Sequence, residues 1–172
     1  MGMYPGGNVV TVIPTIATSS SSSGDVLCLT TEIPHAIGSR GSASLLKSIS
    51  IYNHKDTTCD FDIVFMKNKV DMTDAAGSAV GNNSTWTEAL AKSAGVLGHL
   101  EIDVSDSEIN LINGLMYSSS NVNSAHGTKP LDMVITADSG STSIYFAVID
   151  RTGSISFGDN DLEFVFGFQY LG

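Results

Sequence analysis

The C-terminal run LEFVFGFQYL constrains the fold more than any other stretch of the chain. Leu162, Phe164, Phe166, Phe168 and Tyr170 alternate without a break, which is the period of a β-strand with one apolar face. Aromatic side chains favour pleated surfaces, so this segment is read as a strand whose large groups point into a core. The same aromatic stripe, if exposed, has the make-up of a sugar-binding platform. In-phase large side chains are more commonly core.

Other segments follow the same period. Asn8 to Ile16 is β-branched and reads as a first strand, with Pro14 placing it at an edge or bending it. Asp25 to Ile33 reads as a second. Leu45 to Asn53 alternates with Leu45, Lys47, Ile49 and Ile51 on one side and Leu46, Ser48, Ser50 and Tyr52 on the other. Cys59 to Asn68 sets Phe61, Ile63 and Phe65 against Asp60 and Asp62. These last two segments are expected to form a β-hairpin. Val96 to Val104, Ile109 to Tyr117 with a hairpin signal at Asn113-Gly114, Leu131 to Ala137, and Ser143 to Arg151 supply further strands. One helix is expected near residues 85–94, opened by the capping box Thr85-Trp86-Thr87-Glu88, stopped at Gly95, and pinned to the sheet by Trp86 and Leu90. The loops include a serine run, Ser19 to Ser23, read as flexible, and residues 69–83, read as an excursion. The fold class is therefore all-β: an antiparallel β-sandwich or jelly roll of about eight to ten strands with one short helix. Residues 1–7 read as a flexible N-terminal arm and residues 8–172 as a single domain. A chain of 172 residues buries roughly 70% of its unfolded surface, enough for a core without metal or disulfide support.

Charge limits the partners. Eight Lys and Arg stand against eighteen Asp and Glu, a net charge of −10, and the cations are scattered. Nucleic acid and anionic membrane are set aside. The N-terminus lacks the basic and apolar stretches of a signal peptide, and position 6 is Gly where a myristoylation signal has Ser or Thr.

Catalytic and cofactor motifs are not found. Cys28 and Cys59 have no CxxC or zinc spacing, and each reads as a small buried hydrophobe, with a disulfide between them left open. His35, His54, His99 and His126 are not spaced as metal ligands. No GxSxG elbow, Walker motif or dinucleotide fingerprint occurs. Asp60 with Asp62, and Asp159 with Asp161, are carboxylate pairs of the kind glycoside cleavage uses, but carboxylates beside turns are ordinary. Asp103, Asp106 and Glu108 offer oxygens to calcium without EF-hand spacing. No catalytic residue, cofactor or metal is assigned, and no enzyme activity is expected.

The ordered series VTVIPTI, the serine run, Gly24-Asp25-Val26, LLKSISIYNHKD, FDIVFM, TWTEAL, AGVLGHLEI and the final strand resembles small structural proteins of tailed bacteriophages, especially marine and cyanobacterial phages, some of which decorate or cement the head. Residues 69–84 depart from that pattern, and no functional residue carries over. The resemblance implies a β-sandwich bound to the capsid exterior, made in the cytoplasm of an infected bacterium, with the major capsid protein or other virion proteins as partners and a homo-oligomeric state. A neck, tail or fibre component and a carbohydrate-binding module are the rival readings. A mobile arm ordering on a neighbour makes Met3, Tyr4, Pro5, Val9 and Val10 the candidate partner-binding residues.

Overall fold

The computed structural model describes residues 6–16, 20–55, 57–70, 88–103, 108–111, 114–118, 131–158 and 160–171. In chain order these form β1 (Gly7–Val12), β2 (Val26–Ile33), β3 (Ala43–Asn53), β4 (Phe61–Met66), α1 (Glu88–Ala94), β5 (Val96–Ile102), β6 (Glu108–Leu111), β7 (Gly114–Ser118), β8 (Met133–Thr136), β9 (Ile144–Asp150) and β10 (Leu162–Leu171).

Two antiparallel sheets face each other. The first runs β1-β10-β3-β7-β6, with β8 also pairing β3, and the second runs β2-β9-β4-β5. The pairs β1 with β10, β2 with β9, β3 with β8 and β4 with β5 are those of one long hairpin folded over on itself. That is a jelly roll. The β6–β7 hairpin is an addition, sharing an edge of β3 with β8: β7 takes Ser50 to Asn53 and β8 takes Ala43 to Leu46.

The core lies between the sheets. Phe164, Phe166 and Phe168 of β10 point inward, as their alternation requires; from the opposite side Phe65 of β4 meets Phe166, and Phe146 of β9 meets Phe164 and Phe166. Phe61 and Ile63 complete the β4 face. Loops contribute too. Ile37, Ile155 and Phe157 are buried although Gly and Ser surround them in sequence.

Three expectations need correction. β3 and β4 do not form a hairpin. They lie in different sheets, because both edges of β3 are already taken by β10 and by β7 with β8. The chain between β3 and β4 instead leads from one sheet to the other, about 10 Å apart. Buried Asn53 turns the chain out of β3: its side-chain amide donates to the Thr57 carbonyl (2.6 Å) and its oxygen accepts from the Lys55 N–H (3.0 Å).

The faces of β3 also differ. A bulge opposite Gly167 and Phe168 sets Leu46, Ile49 and Ile51 inward, with Leu45, Ser48, Ser50 and Tyr52 outward. Strict alternation would bury the Lys47 ammonium beside Ile49. One extra residue lets Lys47 stay exposed while the apolar groups on both sides reach the core.

β1 stops at Val12, short of the expected end. Ile13 to Thr15 then carry the chain toward the second sheet, where Ile16 bridges Cys28. Pro14 sits in this crossing and is buried. Just ahead of β1, Gly6 accepts a hydrogen bond from the Tyr170 N–H (2.8 Å).

α1 lies over the outside of the second sheet, where Ala94 packs with Val26, Val64, Met66 and Ala147. Gly95 follows at φ 63, the left-handed stop expected of it. The capping residues 85–87 and the side chain of Leu90 lie outside the described residues.

Candidate functional site

Two features stand out: a buried polar cluster and a sparsely charged sheet face. The cluster surrounds Asp150, whose carboxyl is 0% exposed. One oxygen accepts from the backbone N–H groups of Thr152 (2.8 Å) and Gly153 (3.0 Å) and from the Cys59 thiol (3.5 Å). The other accepts from the Ser21 hydroxyl. The serine run is therefore not a free loop over its described length. Ser21 is buried and bonds through its backbone to Ile155 (2.9 Å) and Ser154 (2.7 Å), and the Ser23 hydroxyl donates to the Arg151 carbonyl (2.8 Å). Gly153 sits at φ 76, and a Cβ there would come within 2.9 Å of the Ser23 nitrogen. Only glycine allows the two loops to meet so closely.

This arrangement ties loops together. A reactive thiol needs a stabilised thiolate and an open approach. Burial and the neighbouring Asp150 charge instead push the Cys59 thiol above its ordinary range. Ser21, Asp150 and Cys59 are all buried. Sequence reading missed the cluster because its members are far apart in the chain and each is an ordinary turn or strand residue.

Cys28 is free and buried. Burial pushes its thiol from the ordinary 9.0 up to about 12. The folded state keeps a proton that the unfolded chain releases, so this stabilisation is complete below about pH 9 and is lost as pH rises toward 12. Between these limits the unfolding free energy is expected to fall by about 1.4 kcal/mol per pH unit from this group. Denaturation of the protein and of Cys28→Ala at a series of alkaline pH values checks this, with a shallower slope expected in the variant.

The second feature is the outward face of the first sheet. Register places Val9, Gly167 and Ser48 in one row, Thr11, Val165 and Ser50 in the next, and Val134 beside Leu45, with Thr136, Ala43 and Leu171 at the far end. Val9 is 69% exposed, Val134 57% and Leu171 38%. Single exposed apolar groups are normal, but a continuous apolar and hydroxyl surface marks a contact area. Strands β1, β3, β7, β8 and β10 carry two charged side chains, Lys47 and Glu163. Lys47 pairs with Asp132, and Glu163 lies 3.8 Å from the His54 imidazole. In a chain of net charge −10 this face is sparsely charged. The outside of the second sheet differs, with Arg151 held between Asp62 and Glu101.

The expected contact residues fall differently. Val9 lies on the outward face of the first sheet. Val10 points the other way, into the core. Met3, Tyr4 and Pro5 lie outside the described residues. The phenylalanines of the last strand form core and offer no exposed platform, while Tyr170 donates to the His35 carbonyl (3.0 Å). Trp86, His126, Asp106 and Asp159 lie outside the described residues. Among the described residues no three His, Cys, Asp or Glu side chains gather as a metal site, and no helix is long and apolar enough to cross a membrane. Compared with known proteins, the chain matches no family model, no curated protein and no solved structure.

Proposed function

We propose that this chain is a structural protein of a tailed-bacteriophage particle, a head decoration or cement protein seated on the major capsid protein from the exterior, acting as a homo-oligomer without catalysis or cofactor. The observation that carries the reading is the sparsely charged outer face of the first sheet. Interface centres are depleted of charge, and a face with few charges lets an acidic protein pack against a protein lattice. The resemblance of the strand series to small phage structural proteins supplies the kind of lattice. A jelly roll hosts many functions, so the fold alone does not choose among them. The carbohydrate reading has lost the aromatic stripe that was one of its best candidates.

Mass spectrometry of purified particles tests the proposal. The protein is expected in many copies per particle, and its absence overturns the reading. Val134→Asp places a charge on the proposed contact face and is expected to abolish attachment while far-UV circular dichroism stays unchanged. Particle images in which the protein occupies the neck, tail or fibres assign it to those parts and overturn the head placement.

A further inference from the structure

We propose that two copies of this chain pair through β1, antiparallel and edge to edge, about a two-fold axis at Val9. The pairing takes up the homo-oligomer of the reading above and names its interface.

The geometry begins with the ladder between β1 and β10. The Tyr170 N–H donates to the Gly6 carbonyl (2.8 Å), and Gly6 is one step ahead of the Gly7–Gln169 pair. Antiparallel ladders alternate bonded and non-bonded pairs. Residues 6, 8, 10 and 12 therefore bond to β10, while Gly7, Val9 and Thr11 turn their N–H and C=O groups to the other side. Among the described residues no strand pairs with that side.

Exposed edges are ordinarily blunted by lysine, proline or a bulge. β1 has none of these: it reads GNVVTV, and its register with β10 is unbroken. It is also uncharged. Two molecules of net charge −10 repel over most of their surfaces, and an uncharged strand is where they approach at least cost.

A second copy fits because the edge is self-complementary. The outward groups belong to odd-numbered residues, so odd must pair with odd. Centring the axis on Val9 sets Val9 against Val9 of the second copy and Gly7 against Thr11 of the second copy. Val9, 69% exposed, then packs on its own symmetry mate. The two first sheets become one continuous sheet, which doubles the sparsely charged face available to a lattice.

Three variants test this. Val9→Pro removes an N–H that the β10 ladder does not use, and edge strands tolerate proline at such positions. It is expected to weaken dimerisation at least tenfold in sedimentation equilibrium, with unchanged far-UV circular dichroism. Val9→Cys brings two thiols onto a bonded pair with Cα atoms about 5.5 Å apart, within disulfide reach. It is expected to cross-link to a covalent dimer on mild oxidation. Thr11→Cys, about 13 Å from its own symmetry mate, is expected to stay monomeric. The proposal is overturned if the unaltered protein is monomeric throughout the concentration series, if Val9→Pro dimerises as well as it does, or if Thr11→Cys cross-links as readily as Val9→Cys. The two readings separate cleanly. A chain present on particles as single copies loses the pairing alone, and a dimer absent from particles loses the virion role alone.

Discussion

Phe166→Ala is expected to lower the unfolding free energy by about 3–5 kcal/mol. Phe166 is fully buried at the centre of the sandwich. Its ring lies edge-on to Phe65 (6.0 Å between centroids) and Phe146 (5.1 Å), both from the opposite sheet, and stacks along its own strand with Phe164 (6.1 Å) and Phe168 (6.4 Å). Truncation removes the transfer energy of the ring and leaves a cavity that two hydrogen-bonded sheets cannot collapse to fill. Urea denaturation measures the change, with a lower midpoint and an unchanged slope expected. Val165, the next residue, points outward, and Val165→Ala is expected to cost well under half as much. Equal losses at the two positions would contradict the assignment of faces in β10.

Asp150→Ala is expected to cost a similar amount, about 3–5 kcal/mol, by a different route. The loss leaves the Thr152 and Gly153 N–H groups without their acceptor and opens the buried space the carboxyl filled, while the Ser21 hydroxyl and Cys59 thiol keep the Ile155 and Asp60 carbonyls. An unpaired buried donor costs roughly 1–3 kcal/mol. Ser21→Ala removes one donor and leaves the carboxyl three, so about 1–2 kcal/mol is expected. Because the two residues share a bond, the double variant is expected to lose less than the two single losses added. Denaturation midpoints of the three variants measure this, and full additivity would show that Ser21 and Asp150 act separately. Against a typical net stability of about 5–15 kcal/mol, either large loss is enough to shift the folding midpoint decisively.

The strands themselves were largely legible. β10 lies where its alternation places it, and β2, β4 and β9 fall within a residue or two of their apolar runs, because period-two alternation is a local property that side chains report directly. Gly95 as a helix stop was legible for the same reason: a left-handed position selects glycine whatever surrounds it. The β6–β7 hairpin was also found, although its register pairs Leu111 with Gly114, so Gly114 of the Asn-Gly signal belongs to the strand.

The candidate surfaces were harder to see. A sparsely charged sheet face is assembled from five strands spread along most of the chain, and no local window contains it. Asp150, Ser21 and Cys59 meet only because a loop after β9 closes over the serine run. In sequence that run is indistinguishable from a flexible linker, since serine suits both a solvated loop and a hydrogen-bonded one. The bulge in β3 was invisible for a related reason. Lys47 fits the alternation of its neighbours, and only the cost of burying its charge between two sheets moves the strand out of phase.

What the amino-acid sequence determined by itself was the all-β class, the positions of the strands and the inward stripe of β10, since these follow from steric preference and hydrophobic period within a few residues. Tertiary structure alone decided which sheet each strand joins, where β3 changes face, which serine is buried and which strand edge stays open. Those choices depend on the occupancy of edges and on the pairing of polar groups between segments far apart in the chain. Neither quantity exists until the two sheets have met.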